Sequence, residues 1–426
     1  MNRIKCVIAI ILCSFYFVSR GQTSVSWETN LKKAVEKAKS ENKLVFVNFV
    51  AEGLAPSVQF ARQIGESQEL AQYFESRFVS VLVDISKDQQ VARQYQIQGL
   101  PTLLFLDSRG KEIKRLLGGV TPEHIIYWAQ VLTGEKPSVD MLWEQYRQDK
   151  DNLALMGQIL REMPIYSLGL TSRADAEKWQ DRVEKLFQTY WNAKPREEMI
   201  NEKDFGIIVL YCQKWEEKND PVEFVIKHYE EYAKIIPAQM LISYLASYVN
   251  TLVNNLAMAG DLEYKQVLAR LQGDLKPIFD VVQTKSLPVE YLMTAKADAL
   301  YTLFREKDQE KYIQLQRDYL EKMGDLAGKE DYQNAAMNLL VKMQNKLTRE
   351  SATQALLWLD KLISFPMEVS EKAVFVASMG DCYLTLENKQ KAKECFNQAF
   401  MMSLQSQDPQ LQAYFQQKVA ALSDEE

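Results

Sequence analysis

The chain has 426 residues, 47% of them apolar and 25% charged, which is longer than one hydrophobic core usually supports, so two or more domains are expected. Its formal charge is −6 and it carries no long basic run. That argues against a nucleic-acid partner, because phosphate binding needs clustered Lys and Arg.

Arg3 and Lys5 precede an apolar run from Cys6 to Val18, and Ser19-Arg20-Gly21 puts small residues at the two positions a signal peptidase reads. This predicts a secretory signal peptide over residues 1–21. An uncleaved anchor is the alternative, but the apolar run is shorter than the roughly 20 residues a bilayer requires. Leu12 before Cys13 is too bulky for a lipoprotein signal. Cleavage removes Arg3, Lys5 and Arg20, leaving 48 basic against 57 acidic residues, a charge of −9. It also leaves only Cys212, Cys382 and Cys395, too few for a disulfide framework. No later stretch is apolar enough for a membrane span.

Leu31, Ala34, Val35 and Ala38 follow helical spacing until Asn42-Lys43 ends the segment. Leu44 to Val50 is a short apolar strand, followed by a polar, glycine-containing corner and then Pro56, which suits the first turn of a helix. Phe60, Ala61 and Ile64 continue that helix to Gly65, and Ser67 is an N-cap for a further segment. Phe78 to Ile85 reads as a strand, Asp88 to Tyr95 as a polar helix, and Gln98 to Asp107 as a turn feeding a buried strand. A hairpin at Gly110, a partner strand over Glu112 to Leu117 and a helix from Pro122 to Leu132 complete the pattern. It predicts an α/β domain over residues 22–137, with a mixed four-stranded sheet and helices on both faces.

Two motifs in this segment resemble the thioredoxin superfamily. In Val50-Ala51-Glu52-Gly53-Leu54-Ala55-Pro56-Ser57, Ala51, Glu52 and Pro56 match the run that leads into C-G-P-C. The two cysteine positions fall on Leu54 and Ser57, the tryptophan position on Gly53 and the central glycine on Ala55. Gly99-Leu100-Pro101-Thr102 matches the second motif at every position, and the resemblance implies a cis peptide bond before Pro101 beside a groove formed with Leu100 and Thr102. The buried acid that the family keeps on the redox strand is replaced by Asn48. The run from Trp27 to Phe49 is similar to exported members that open with a tryptophan, an Ala-Lys-rich helix and "ENK".

From Glu135-Lys136-Pro137 onward glycine becomes sparse and helical periodicity dominates, with breaks near Pro164, Pro195, Asn219-Asp220-Pro221, Gly260-Asp261, Pro288, Gly328 and Pro366. Residues 138–426 are therefore read as an all-α domain of eleven to thirteen helices in stacked hairpins. Gly380, Tyr383, Ala392, Phe396 and Ala399 have tetratricopeptide-repeat spacing, although Val376 and Met379 stand where Trp and Leu are usual. A plain helical domain ending in one such repeat is the alternative.

Thiol-disulfide exchange needs an attacking and a resolving thiol, and the loop Leu54-Ala55-Pro56-Ser57 has neither. Ser57 is a weak nucleophile without a base. Cys382 and Cys395 fall on facing helices; buried inert thiols are the commoner fate there, and a disulfide between them is the alternative. Cys212 reads as core, and Trp143, Trp179, Trp191, Trp215 and Trp358 mostly as core. His124 is expected on the surface and His228 on a charged helix face. No metal or cofactor site is predicted.

These features lead to an exported, redox-inactive module that binds or scaffolds a protein or peptide. The alternative is a thiol oxidoreductase or isomerase using cysteines outside the loop. A third reading makes the α/β domain a folded cap for the helical array. The signal end and long helical tail resemble exported proteins of Bacteroidetes-type bacteria, which implies the periplasm.

Overall fold

The computed structural model describes residues 24–213, 219–282, 287–406 and 408–423. The segment read as a signal peptide, and Trp215, lie outside the described residues. The chain forms two compact units, Met1–Pro195 and Arg196–Glu426. Among the described residues no helix is long and apolar enough to cross a membrane.

In the first unit the elements are β1 (Trp27–Glu28), α1 (Leu31–Glu41), β2 (Leu44–Val50), α2 (Ala55–Gly65), α3 (Gln68–Glu75), β3 (Phe78–Asp84), α4 (Gln89–Gln94), β4 (Thr102–Leu106), β5 (Glu112–Leu117) and α5 (Pro122–Leu132). Three more helices follow: α6 (Val139–Gln148), α7 (Leu153–Ser167) and α8 (Arg173–Ala193). Asn30 caps α1 by accepting from the Lys33 N–H at 3.0 Å, and Asn42 ends it in the left-handed region, φ 54°.

The sheet order is β1-β3-β2-β4-β5, parallel from β1 to β2 and antiparallel from β2 to β5. It is mixed, as predicted, but has five strands rather than four. The extra one, β1, pairs only with Ser80 and Val81. Two residues are too short to show alternation, so periodicity could not reveal it.

β2 lies at the centre and every side chain from Val45 to Val50 is buried, which is why its sequence is an almost unbroken apolar run. Val45, Val47 and Phe49 face one way, into a core with Leu31, Ala34 and Ala38 of α1. Phe46 faces the other way, with ring centroids 4.9 Å from Phe74, 5.2 Å from Phe105 and 6.0 Å from Trp27. The period of two then puts Asn48 on this second face.

Helices α6 to α8 belong to the same compact unit as the sheet. An aromatic series ties them to α5: Trp128 to Tyr166 at 5.4 Å, Tyr166 to Trp179 at 5.5 Å, and Trp179 to Trp143 at 5.5 Å. This corrects one expectation. Pro164 does not break a helix but sits inside α7, which runs on to Ser167. Burial of Met163 and Tyr166 in the last turn offsets the backbone hydrogen bond that proline cannot make.

The second unit is helical apart from its connections. Counting three helices in the first unit and thirteen in the second, sixteen α-helical segments lie between Val139 and Ser423 among the described residues, more than the eleven to thirteen expected. Pieces such as Tyr229–Tyr232 and Lys276–Phe279 are single turns that hydrophobic periodicity cannot resolve.

Helices Val369–Thr385 and Lys389–Ser406 form a tight hairpin around Phe396, which is buried with Ala373, Ala377, Ala392, Ala399 and Phe415. A Cβ placed on Gly380 would stand 2.6 Å from the Phe396 ring. Gly380→Ala should therefore lower the urea-unfolding midpoint, costing about 1–3 kcal/mol from overpacking. The gain in helix propensity, about 1 kcal/mol, opposes this and is smaller. An unchanged midpoint would show that Phe396 moves aside freely.

Candidate functional site

The corner between β2 and α2 is set by backbone geometry. The Leu54 N–H donates to the Ala51 carbonyl at 2.9 Å, and the Leu54 carbonyl accepts from Ser57 at 3.0 Å and Val58 at 3.2 Å. Leu54 is thus the helix N-cap, with φ −111° and ψ 92°, although its side chain can supply no capping bond. Pro56 sits in the first turn, where its missing N–H is no loss.

Leu54 is 45% exposed at the outer lip of the corner, and Ser57 is 2% exposed beneath it. The Ser57 hydroxyl accepts from the Ala51 N–H at 3.4 Å, which ties the end of the strand to the helix. Among the described residues no histidine or carboxylate is hydrogen-bonded to that hydroxyl, so nothing there would make it a nucleophile. Glu52 turns outward to pair with Lys87 at 2.6 Å.

The antiparallel register of β2 with β4 sets Phe49 opposite Thr102. Leu100 and Pro101, just before Thr102, are thereby brought to the end of β2 where the corner begins. The Leu100–Pro101 peptide is cis. The Pro101 carbonyl accepts from the Gly118 N–H at 3.0 Å, and the buried Thr102 hydroxyl donates to the Gly99 carbonyl at 2.7 Å.

Asn48 lies one strand turn before the corner, paired in register with Leu82 and Leu103. It is fully buried, and neither its amide nitrogen nor its oxygen has a hydrogen-bond partner. The corner keeps a helix N-terminus, a cis-proline and a buried polar group below, and holds no sulfur.

The cysteines at 212, 382 and 395 all lie in the second unit and none is in a disulfide, so the alternative of a Cys382–Cys395 disulfide is not formed here. Burial pushes the Cys212 thiol up to about 12, and burial followed by the neighbouring Asp381 does the same to Cys382. Burial also raises Cys395. A thiolate is the reactive form, so these environments suppress reactivity.

The expectation that His124 lies on the surface is wrong. It is 1% exposed, because α5 is covered on both sides by other elements and buries six consecutive residues from His124 to Ala129. Its Nε2 accepts from the Trp128 indole N–H at 3.1 Å. His228 is partly exposed and meets Glu231 at 2.9 Å.

A family model described as a thioredoxin-like domain matches residues 31–131. Thioredoxin H4 of Arabidopsis thaliana is 30% identical over 84 residues, which span 20% of this chain and 67% of that protein. Among solved structures, a thioredoxin from Thermus thermophilus is 23% identical, covering 26% of this chain and 88% of its own, with a TM-score of 0.24. A DsbH oxidoreductase is 22% identical, covering 26% of this chain and 85% of its own, also at 0.24. On the family model and the Arabidopsis relative, the chain belongs to the thioredoxin-like family through the domain at residues 31–131.

Proposed function

We propose that this chain is an exported, redox-inactive thioredoxin-like protein that binds a protein or peptide segment, with a tetratricopeptide-like helical array as its second binding element. The observation that carries the reading is the corner itself: an exposed leucine and a buried serine occupy the two thiol positions, while the cis-proline beside them is kept. Backbone groups at such a groove recognise extended chain without any sulfur. Export rests on the sequence pattern of residues 1–21, and the periplasm on the resemblance to exported proteins of Bacteroidetes-type bacteria.

The helical unit supports the same reading. Helices Lys329–Met343, Val369–Thr385 and Pro409–Ser423 line a groove of about 660 Å³ with Leu340, Leu384 and Tyr414 on its walls. Lys418 and Asp381 pair across it at 2.5 Å. An oxidoreductase using Cys212, Cys382 or Cys395 is disfavoured because the first two thiols are buried, the third is half-buried, and desolvation raises all three.

The test is insulin reduction by the purified chain with dithiothreitol or an enzymatic reductant. The wild-type chain should give only the rate of the reductant alone. Leu54→Cys/Ser57→Cys should gain measurable turnover, because the outer thiol would sit at a helix N-terminus, which lowers a cysteine pKa below its usual value near 8.5. Turnover by the wild-type chain would overturn the reading.

A further inference from the structure

At the β1 end, separated by β3 and β2 from β4 and the cis-proline, the sheet edge is incomplete. β1 covers only Ser80 and Val81, so β3 runs on through Leu82, Val83 and Asp84 with no strand beside it on that side among the described residues. A cavity of about 680 Å³ opens along this bare stretch, walled by Trp27, Leu31, Val58, Ala61 and Leu82. That volume and apolar lining fit a buried side chain with room for the backbone that carries it.

The rim is charged and uneven. Glu52, Glu66, Asp84 and Asp88 face Arg62 and Lys87, four acids against two bases. Both bases are already engaged, Arg62 with Glu66 at 2.7 Å and Lys87 with Glu52 at 2.6 Å and Asp84 at 3.5 Å. The Ser86 hydroxyl, with backbone N–H groups behind it, holds the Asp84 carboxyl below the usual range.

We infer that this edge is a docking site for an extended peptide segment carrying one large apolar side chain flanked, two residues away on either side, by lysine or arginine. The segment extends the sheet past β1 through the Leu82 carbonyl and the Asp84 N–H, the Asp84 carbonyl being taken by the Lys87 and Asp88 N–H groups at 3.1 and 2.9 Å. Three strand residues span roughly 10 Å, enough to seat one inward side chain in the cavity. Residues two positions before and after it point to the same side, roughly 7 Å away, and so reach the acidic rim. The acid surplus disfavours other occupants. A second copy pairing edge to edge would set one acidic rim against another, and an anionic amphiphile would meet the same repulsion.

The site deepens the peptide-binding reading and rests on it. Fluorescein-labelled heptapeptides acetyl-Thr-Lys-Thr-Leu-Thr-Lys-Thr-amide, its glutamate-for-lysine counterpart and its serine-for-leucine counterpart are titrated against the full chain by anisotropy. The lysine-leucine peptide should bind roughly tenfold or more tighter than either control, the scale expected from burying one leucine and matching the rim. It should also slow amide hydrogen exchange at Asp84, whose N–H faces the open edge. Ala61→Phe, which fills the cavity, should abolish the preference for leucine. Glu52→Lys, at an exposed rim position, should erase or invert the preference for lysine over glutamate. Equal binding of the three peptides, or an unchanged charge preference in Glu52→Lys, overturns the site. A native envelope partner captured equally by Glu52→Lys, Ala61→Phe and wild-type chain would remove this site while leaving the peptide-binding reading in place.

Discussion

Asn48→Val should make the first unit more stable to urea by about 1–2 kcal/mol, and Asn48→Asp should destabilise it by at least as much at pH 7. Most core substitutions destabilise, so the first result reverses the usual expectation. The reason is that both polar atoms of the Asn48 amide are buried without a partner, in a strand whose register neighbours are Leu82 and Leu103. Valine removes that desolvation cost and suits the strand, being β-branched and near in size.

Aspartate does the opposite, because ionising at a fully buried site is costlier than leaving an amide unpaired. The folded state would hold the carboxyl protonated well above its unfolded pKa near 3.9. Between those two values the native state binds more protons than the unfolded one, so the stability of Asn48→Asp falls as pH rises. Below about pH 4 both states are protonated, and the variant should approach wild type. Urea titrations from pH 3.5 to 8 separate these outcomes. Destabilisation by Asn48→Val would mean that a water inside the fold satisfies the amide. The family resemblance assigns an acid at this position to proton transfer with the thiols. With Leu54 and Ser57 in their place that role is gone, and a neutral near-isostere keeps the packing.

The features legible in the sequence were those set by local chemistry. Asn42, Ser67, Pro56 and Gly110 each announce a cap or turn, and each stands where its residue type predicts. The run from Leu44 to Val50 showed a buried strand because both its faces meet helices or aromatic rings. The cis bond before Pro101 came from motif resemblance, since one residue pair carries no intrinsic signal for it. What stayed hidden depends on partners distant in sequence. β1 is defined by its pairing with β3, and Pro164 is tolerated because Tyr166 packs between Trp128 and Trp179, edge-on to the latter. His124 was misplaced for the same reason: a polar residue in a first helical turn looks solvated until the elements packed on α5, among them α3 and α7, are known. The open edge beyond β1 had no sequence signal at all, because it consists of a strand that stops early.

Acid should unlatch the first unit through His124. Burial first, and then the positive charge of Lys114, depress the imidazole pKa from 6.5 to about 4. Its Nε2 accepts from the Trp128 N–H at 3.1 Å, which requires the neutral form with the proton on Nδ1, and that buried Nδ1 has no partner. Protonating Nε2 breaks the bond to Trp128 and places a second cation near Lys114. The Lys114 amine already lies 3.6 Å above the Trp128 ring and donates to the Gly169 carbonyl at 2.7 Å. The folded pKa lies below the unfolded one, so between pH 6.5 and 4 the unfolded chain binds the extra proton and stability falls with pH. A shift of this size corresponds to on the order of 3 kcal/mol lost between pH 7 and pH 4. Lys114 adds no slope in that window, because burial lowers its pKa only to about 8 and both states carry its proton below that. His124→Gln keeps an acceptor for Trp128 and cannot titrate, so its urea midpoint should decline less steeply with acid by about that amount. Lys114→Met keeps the apolar contact with the Trp128 ring and removes the charge, and should move the His124 titration upward from about 4, as read by NMR of the imidazole. Parallel acid profiles for wild type and His124→Gln would mean that carboxylates elsewhere, rather than the bond between His124 and Trp128, set the acid limit of the unit.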